Sequence, residues 1–294
     1  MDIRVLQYFL AVAREESITR AAETLHMTQP PLSRQLKDLE EEVGKQLLIR
    51  GSKKVTLTED GMLLRKRAEE MVDLMEKTKA ELSSSDEHIS GDIYMGSGET
   101  EAVSTIAKVA KDLQKEHPFI RYHIYSGDAE HIIERLDKGL IDFGLLVEPV
   151  DIAKYDYIKL PVKDTWGVLM RKDSPLAEKE NICAEDLWDK PLIISHQTVN
   201  SDEISSWLHR DITKLNIVAT YNLVYNASRF VKMGVGYAIT LDKLINTSGD
   251  SSLCFRPLYP VSEAGLCIVW KKYQVFSRAA EQFLKQIQNE FSVQ

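Results

Sequence analysis

The stretch that most constrains this chain is residues 17–43. Ile18, Ala21, Ala22 and Leu25 form one helical stripe, and Ser17 or Thr19 is placed to cap it. His26-Met27-Thr28 breaks the pattern. A further helix is predicted over Gln29–Val43, with Leu32, Leu36, Leu39 and Val43 on its inner face and Gly44 as its stop. The small Ala21-Ala22 pair lets the second helix approach closely. Before both, residues 4–14 carry Leu6, Phe9, Leu10 and Ala13 on one stripe. Two short helices joined by a three-residue turn, backed by another helix, make a helix-turn-helix.

The outer face of the Gln29–Val43 helix suggests what the motif meets. Its first turns expose Gln29, Ser33, Arg34 and Lys37. Glutamine can bond adenine edges and arginine can bond guanine with two hydrogen bonds, while serine and lysine suit phosphate. Recognition helices read bases with their N-terminal residues. The acidic run Glu40-Glu41-Glu42 must then point away from phosphate. Pro30 and Pro31 are tolerated in a first turn, whose amides have no helical partner. They also remove the amides that a Thr28 cap would use, which leaves the Thr28 hydroxyl available to DNA. Next, Leu47–Arg50 and Lys54–Thr58 read as two short strands about Gly51-Ser52. This hairpin, or wing, gathers Arg50, Lys53 and Lys54 at its tip.

Thr58 is expected to cap a long helix opened by Glu59 and Asp60, which favour the positive end of the macrodipole. Leu64, Ala68, Met71, Met75, Thr78 and Leu82 follow at heptad spacing, as in a seam between two chains. Ser83-Ser84-Ser85-Asp86 reads as a hinge.

Charge follows the same division. The 294 residues carry a formal charge of −8, an unpromising total for a polyanion ligand. Residues 1–67 hold 12 basic and 10 acidic side chains, so the acidic excess lies elsewhere. Only the phosphate-facing surface sets the local field. No apolar run long enough to span a membrane is present, and the N-terminus lacks a secretory pattern, so a cytoplasmic protein is expected. Cys183, Cys254 and Cys267 lie far apart, which argues against a metal site or a disulfide framework. The seven histidines show no HExxH spacing, and no GxSxG or GxGxxG motif occurs. Neither catalysis nor a cofactor is expected.

From Gly91 strand and helix patterns alternate, as in a parallel sheet covered by helices. Strands are predicted at 93–97, 120–125, 141–147, 166–170, 192–195, 217–221, 237–240 and 265–270. Helices are expected at 102–116 and 129–138, near 201–209 and 226–233, and at 277–290. Pro161 and Ser262–Gly265 are plausible crossovers. Ligands of such sheets sit beyond the carboxyl ends of strands. Three segments fall there: Ser97-Gly98-Glu99-Thr100, Ser126-Gly127-Asp128 and Ser195-His196-Gln197-Thr198.

The N-terminal stretches LQYFLAVAREESITRAAETLHMTQPPLSRQLKDLEEEVGKQLLIR and KVTLTEDG closely resemble the LysR-type transcriptional regulators. One departure is Leu48, where that family usually has phenylalanine. KEHPFIRYHIYSGDAEHIIERLDKGLIDFGLL and FVKMGVGYAIT resemble the family's effector domain, while residues 150–220 match loosely. The resemblance implies an α/β protein in three parts: a winged helix-turn-helix (1–58), a linker and dimerisation helix with hinge (59–88) and a periplasmic-binding-protein-like effector domain (89–294). Its lobes would be 91–161 with 266–294, and 162–265. It implies promoter DNA, a small effector and RNA polymerase as partners, and a homo-oligomer built as a dimer of dimers. Gln29, Pro30, Pro31, Ser33 and Arg34 would then line the major groove, with Arg50, Lys53 and Lys54 on the backbone. Ser97, Thr100, Ser126, Gly127, Thr198 and Asn226 would contact the effector. Glu99, Glu101, Asp128 and Glu148 crowd the expected cleft and would repel an anion, so a neutral, zwitterionic or amine-bearing effector is expected. Two other readings remain: a solute-binding or enzymatic α/β module without specific DNA binding, and an architectural DNA binder with a degenerate cleft.

Overall fold

A computed structural model describes residues 1–51, 54–82, 89–199 and 202–291. The chain divides into two compact units, 1–83 and 84–294. The expected hinge at Ser83–Asp86, and Ser52 and Lys53 at the wing tip, lie outside the described residues.

In the first unit, α1 (Ile3–Glu15), α2 (Ile18–Thr24) and α3 (Gln29–Val43) enclose a core that includes Phe9, Val12, Ala21, Ala22, Leu32, Leu36 and Leu39. Ser17 caps α2 by accepting from the Arg20 N–H. His26, at φ 53°, turns the chain between α2 and α3. Gly44, at φ 69°, ends α3 in the left-handed conformation that glycine adopts without penalty. Strands β1 (Leu48–Arg50) and β2 (Val55–Leu57) pair antiparallel. Leu48 is buried in the same core, so a branched aliphatic side chain fills the place where the family usually has phenylalanine.

Helix α4 (Glu59–Leu82) starts at Thr58, whose hydroxyl accepts the Gly61 N–H at 2.9 Å. A Cβ at Gly61 would lie 2.2 Å from the Leu47 carbonyl oxygen, so glycine is required where helix and wing touch. The expected seam divides along its length. Leu64 packs on the core of the first unit and Ala68 is fully buried within the single chain. Ala68 is therefore not open to a second copy, while Leu64 is partly buried against its own chain. Met71 and Leu82 are exposed, and Met75 is half-buried.

The second unit holds two sheets. One runs β4 (Ile120–Ser126), β3 (Gly91–Ser97), β5 (Phe143–Val147), β13 (Leu266–Lys271) and β6 (Tyr155–Lys159). On one face lie α5 (Val103–Glu116) and α10 (Arg278–Phe291), burying Ile106, Val109, Phe283 and Ile287. On the other, α6 (Ala129–Asp137) buries Ile132 and Leu136. The second sheet runs β11 (Leu253–Pro257), β7 (Asp164–Arg171), β10 (Tyr237–Leu241), β8 (Leu192–Ser195) and β9 (Ile217–Tyr221), with β12 (Glu263–Ala264) also on β7. Helix α8 (Asp202–Leu208) covers one side with Ile204 and Leu208, and α9 (Val224–Lys232) the other with Val224, Ala227 and Val231. A single turn, α7 (His196–Val199), follows β8.

The sheets are mixed rather than parallel. β13 runs antiparallel to β5 and β6, and β7 antiparallel to β10 and β11. Strand direction is a property of the return path, which periodicity does not record. The short strands β6, β11 and β12 escaped the pattern for a related reason: β6 shows only one side chain in five buried. At Ser262–Gly265, expected only as a crossover, β12 adds two residues to β7 before the chain returns to the first sheet as β13.

Candidate DNA-reading face and effector cleft

The first candidate site is the outer face of α3. Thr28, Gln29, Pro30, Pro31, Arg34 and Lys37 are exposed there. Thr28 makes no capping hydrogen bond, with prolines at the next positions of the first turn. Ser33 is half-buried and accepts from Arg50 Nη1 at 3.1 Å, which joins wing to helix. Lys37 pairs with Glu41 at 3.3 Å, and Lys54 with Glu16 at 3.3 Å. The acidic run has structural tasks. Glu40 accepts the amides of Leu47 and Leu48 at 2.7 and 2.9 Å, tying the end of α3 to β1, and Glu42 meets the N-terminal amine. These bonds hold two of the three acids at the far end of α3 from Gln29 and Arg34.

The second candidate site is a cavity of about 80 Å³ between the two sheets of the second unit. The end of β5 contributes Val147, and the loops after β3, β4 and β5 contribute Gly98, Glu99, Gly127, Asp128, Glu148 and Pro149. From the other sheet come Trp166, Ser195, Gln197, Thr198, Tyr221, Asn222, Val224, Thr240, Leu241 and Leu244. Several bonds join the two sheets' sides around it. Glu99 accepts the backbone N–H groups of Val224 and Tyr225, so a side chain of one lobe caps α9 of the other. Leu223, at the N-cap of α9, supplies no side-chain cap of its own. Thr100 donates to the buried Asp164, and Gln197 Nε2 donates to the Val147 carbonyl at 3.5 Å.

Burial pushes the Glu99 carboxyl above its ordinary value, although the two amides work against the rise. Burial likewise raises Asp164, opposed by the Thr100 hydroxyl and reinforced by Asp242. At Asp128 burial is outweighed by the His131 amide and ring, which hold its carboxyl below the usual range.

Six of the eleven side chains or glycines expected at the cleft line this cavity: Gly98, Glu99, Gly127, Asp128, Gln197 and Thr198. The other five do not. Ser97 donates to the Gly98 carbonyl at 2.7 Å and lines a separate apolar cavity with Met95, Val103 and Ile124. Thr100 is consumed by Asp164. Ser126 is exposed at the end of β4, and His196 is exposed within 3.3 Å of the Thr220 hydroxyl. Asn226 falls on the solvent side of α9, between buried Val224 and Ala227. Trp166, Tyr221, Asn222 and Leu244 were not expected from sequence, because they come from strands and loops with no glycine or hydroxyl cluster to mark them. Among the described residues, no group of three or more His, Cys, Asp or Glu side chains is placed to hold a metal ion, and no helix is long and apolar enough to cross a membrane.

Residues 3–62 match the family model for the bacterial regulatory helix-turn-helix protein, lysR family, and residues 86–292 match the LysR substrate binding domain. The chain is 29% identical over 280 residues to the Hca operon transcriptional activator HcaR of Escherichia coli (strain K12), covering 92% of each. It is 39% identical over 143 residues to the HTH-type transcriptional regulator BsdA of Bacillus subtilis (strain 168), covering 48% of this chain and 49% of that one. A crystal structure of full-length CbnR complexed with its target DNA aligns with a TM-score of 0.77 at 16% identity, over 98% of this chain and 99% of that one. That likeness is one of fold.

Proposed function

The chain belongs to the LysR family of bacterial transcriptional regulators, and on that footing we propose how its two sites divide the work. The first unit, with its domain ending near residue 58, reads promoter DNA. Gln29 and Arg34 meet base edges, Thr28, Ser33 and Lys37 meet the adjoining backbone, and Pro30 and Pro31 pack on the groove wall. Arg50, Lys53 and Lys54 bring the wing to phosphate. The observation that carries this reading is the face of α3: its polar first turns are exposed, and Glu40 and Glu42 are bound at the opposite end.

Residues 59–88 join two chains through the exposed part of the α4 seam, so that paired recognition helices lie about 34 Å apart. A dimer of dimers contacts RNA polymerase. The second unit holds a small effector between its lobes, 91–161 with 266–294 and 162–265. Glu99, Asp128, Gln197 and Thr198 line that cleft, and bonds from Glu99 and Gln197 already join its walls. An effector that binds one arrangement of the lobes more tightly than another shifts the population of DNA-binding geometries.

Footprinting of the full chain on the DNA upstream of its own reading frame tests the reading. A defined protected site, lost in Arg34→Ala at both low and high salt, is expected. Protection unchanged by that substitution would remove α3 from base reading.

A further inference from the structure

The cleft carries a charge pattern that specifies a kind of effector, given the reading of this cavity as the effector site. Glu99, Asp128 and Glu148 line it, and among the described residues no lysine or arginine does. Lys159 pairs with Glu148 at 2.9 Å and His131 with Asp128 at 2.6 Å, and neither of these partners is part of the lining. His196 acts on Asp128 electrostatically and is also outside it. The amides at the start of α9, the usual resting place of an anion, already hold the Glu99 carboxylate. An entering anion would have to displace Glu99 and then share a confined space with three carboxylates. Burial raises the proton affinity of Glu99, which is the response of a buried carboxylate short of positive charge.

A second observation is independent of charge. Trp166 lines the same cavity, is 8% exposed, and its indole N–H has no hydrogen-bond partner among the described residues. Buried N–H groups left without an acceptor are uncommon because each forfeits its desolvation cost. The remaining wall is apolar, from Val147, Pro149, Leu241 and Leu244.

We propose that the effector is a small organic cation: an amine whose ammonium group is held by Glu99, Asp128 and Glu148, and which presents an uncharged acceptor to the Trp166 indole N–H. An amino-amide has that composition. Glu99 is then the specificity-determining residue. It excludes carboxylates by occupying the α9 terminus, and it is the bond between lobes that a bound ammonium group remakes.

Calorimetry on the full-length protein tests this with matched probes: butylamine against butyrate, benzylamine against benzoate, and 4-aminobutanamide against succinamate. The amines are expected to bind and the carboxylates not, with 4-aminobutanamide the tightest. Glu99→Gln keeps an acceptor for the α9 amides and is expected to weaken every amine by about tenfold. Trp166→Phe is expected to weaken 4-aminobutanamide and leave butylamine unchanged, a split that a general loss of structure would not produce. Thermal melting of each variant checks folding, and Glu148→Gln stands in if Glu99→Gln does not fold. Carboxylates binding in place of amines, no amine binding at millimolar concentration, or amine binding indifferent to Glu99→Gln and Glu148→Gln each overturn the proposal. Footprints taken with the same probes separate it from its premise. A carboxylate that alters protection leaves an effector-responsive regulator with the wrong effector class, whereas protection unchanged by the probes and by a whole metabolite extract removes the premise as well.

Discussion

The two candidate sites are built in opposite ways. The α3 face draws its candidate contact residues from one helix, leaves Gln29 and Arg34 exposed, and takes its rigidity from a core directly beneath, where Leu32, Leu36 and Leu39 are at most 2% exposed. The cleft draws its residues from loops and strands between Gly98 and Leu244, and two of its lining side chains are bonded across it: Glu99 to α9 and Gln197 to Val147. In the first, contact and support are different residues. In the second, the same residues line the space and hold its walls together. Substitutions should therefore separate reading from stability in α3 and confound them in the cleft.

Leu36→Ala should have the largest effect. It empties a fully buried position beneath the reading face and should cost about 2–5 kcal/mol of stability, measured by denaturant unfolding, with loss of the footprint as a consequence. Arg34→Ala, two residues away and exposed, should leave unfolding unchanged and remove about 1–3 kcal/mol of base discrimination, measured by competition between operator and scrambled DNA. If both changes moved stability equally, support and contact would not be separate on this helix.

Asp164→Ala should behave unlike either. It strands the Thr100 hydroxyl in a buried place and should cost about 1–3 kcal/mol in unfolding of the second unit, with effector binding altered only through that loss, because neither residue lines the cavity. Effector binding lost with no loss of stability would contradict the placement of Asp164 outside the lining.

A smaller effect is expected from pH. Burial lifts the folded Glu99 carboxyl above 4.5. Between 4.5 and that raised value the folded chain holds a proton that the unfolded chain has released, so stability falls as pH rises through the window. Asp92 has the opposite sign: the Arg121 and His123 bonds overcome its burial and hold it below 3.8, so its contribution is present above 3.8 and vanishes as pH falls through the lowered value. Melting temperature against pH for wild type and Glu99→Gln resolves the two, since that substitution should flatten only the upper window. Lys54→Ala should have the least effect on fold, because its pair with Glu16 is exposed. On DNA it should weaken binding evenly across sequences and lower the salt slope by about one.

Legibility from sequence followed the same contrast. The 4, 3, 4 spacing of Leu32, Leu36, Leu39 and Val43 ahead of Gly44 located α3, although Val43 itself is exposed, and the proline pair foretold the uncapped Thr28. In the cleft, the glycines and acids expected after β3 and β4 line the cavity, whereas Ser97 and Ser126 do not line it, and Trp166 and Tyr221, which do, carried no signal in the sequence. A hydroxyl at a strand end can face either side of the sheet, and an aromatic in a strand reads as core whether or not a cavity adjoins it.

By itself, the sequence determined the helix-turn-helix, the polarity of α3 and the alternation of strand and helix beyond residue 91, because each is set by neighbours within a few residues through side-chain periodicity and capping. Only the tertiary structure decided that β7 and β13 reverse the direction of their sheets, that Ala68 is buried in its own chain, and that Glu99 closes one lobe on the other. Those outcomes depend on which distant segments arrive side by side and on which polar groups must then find partners away from water.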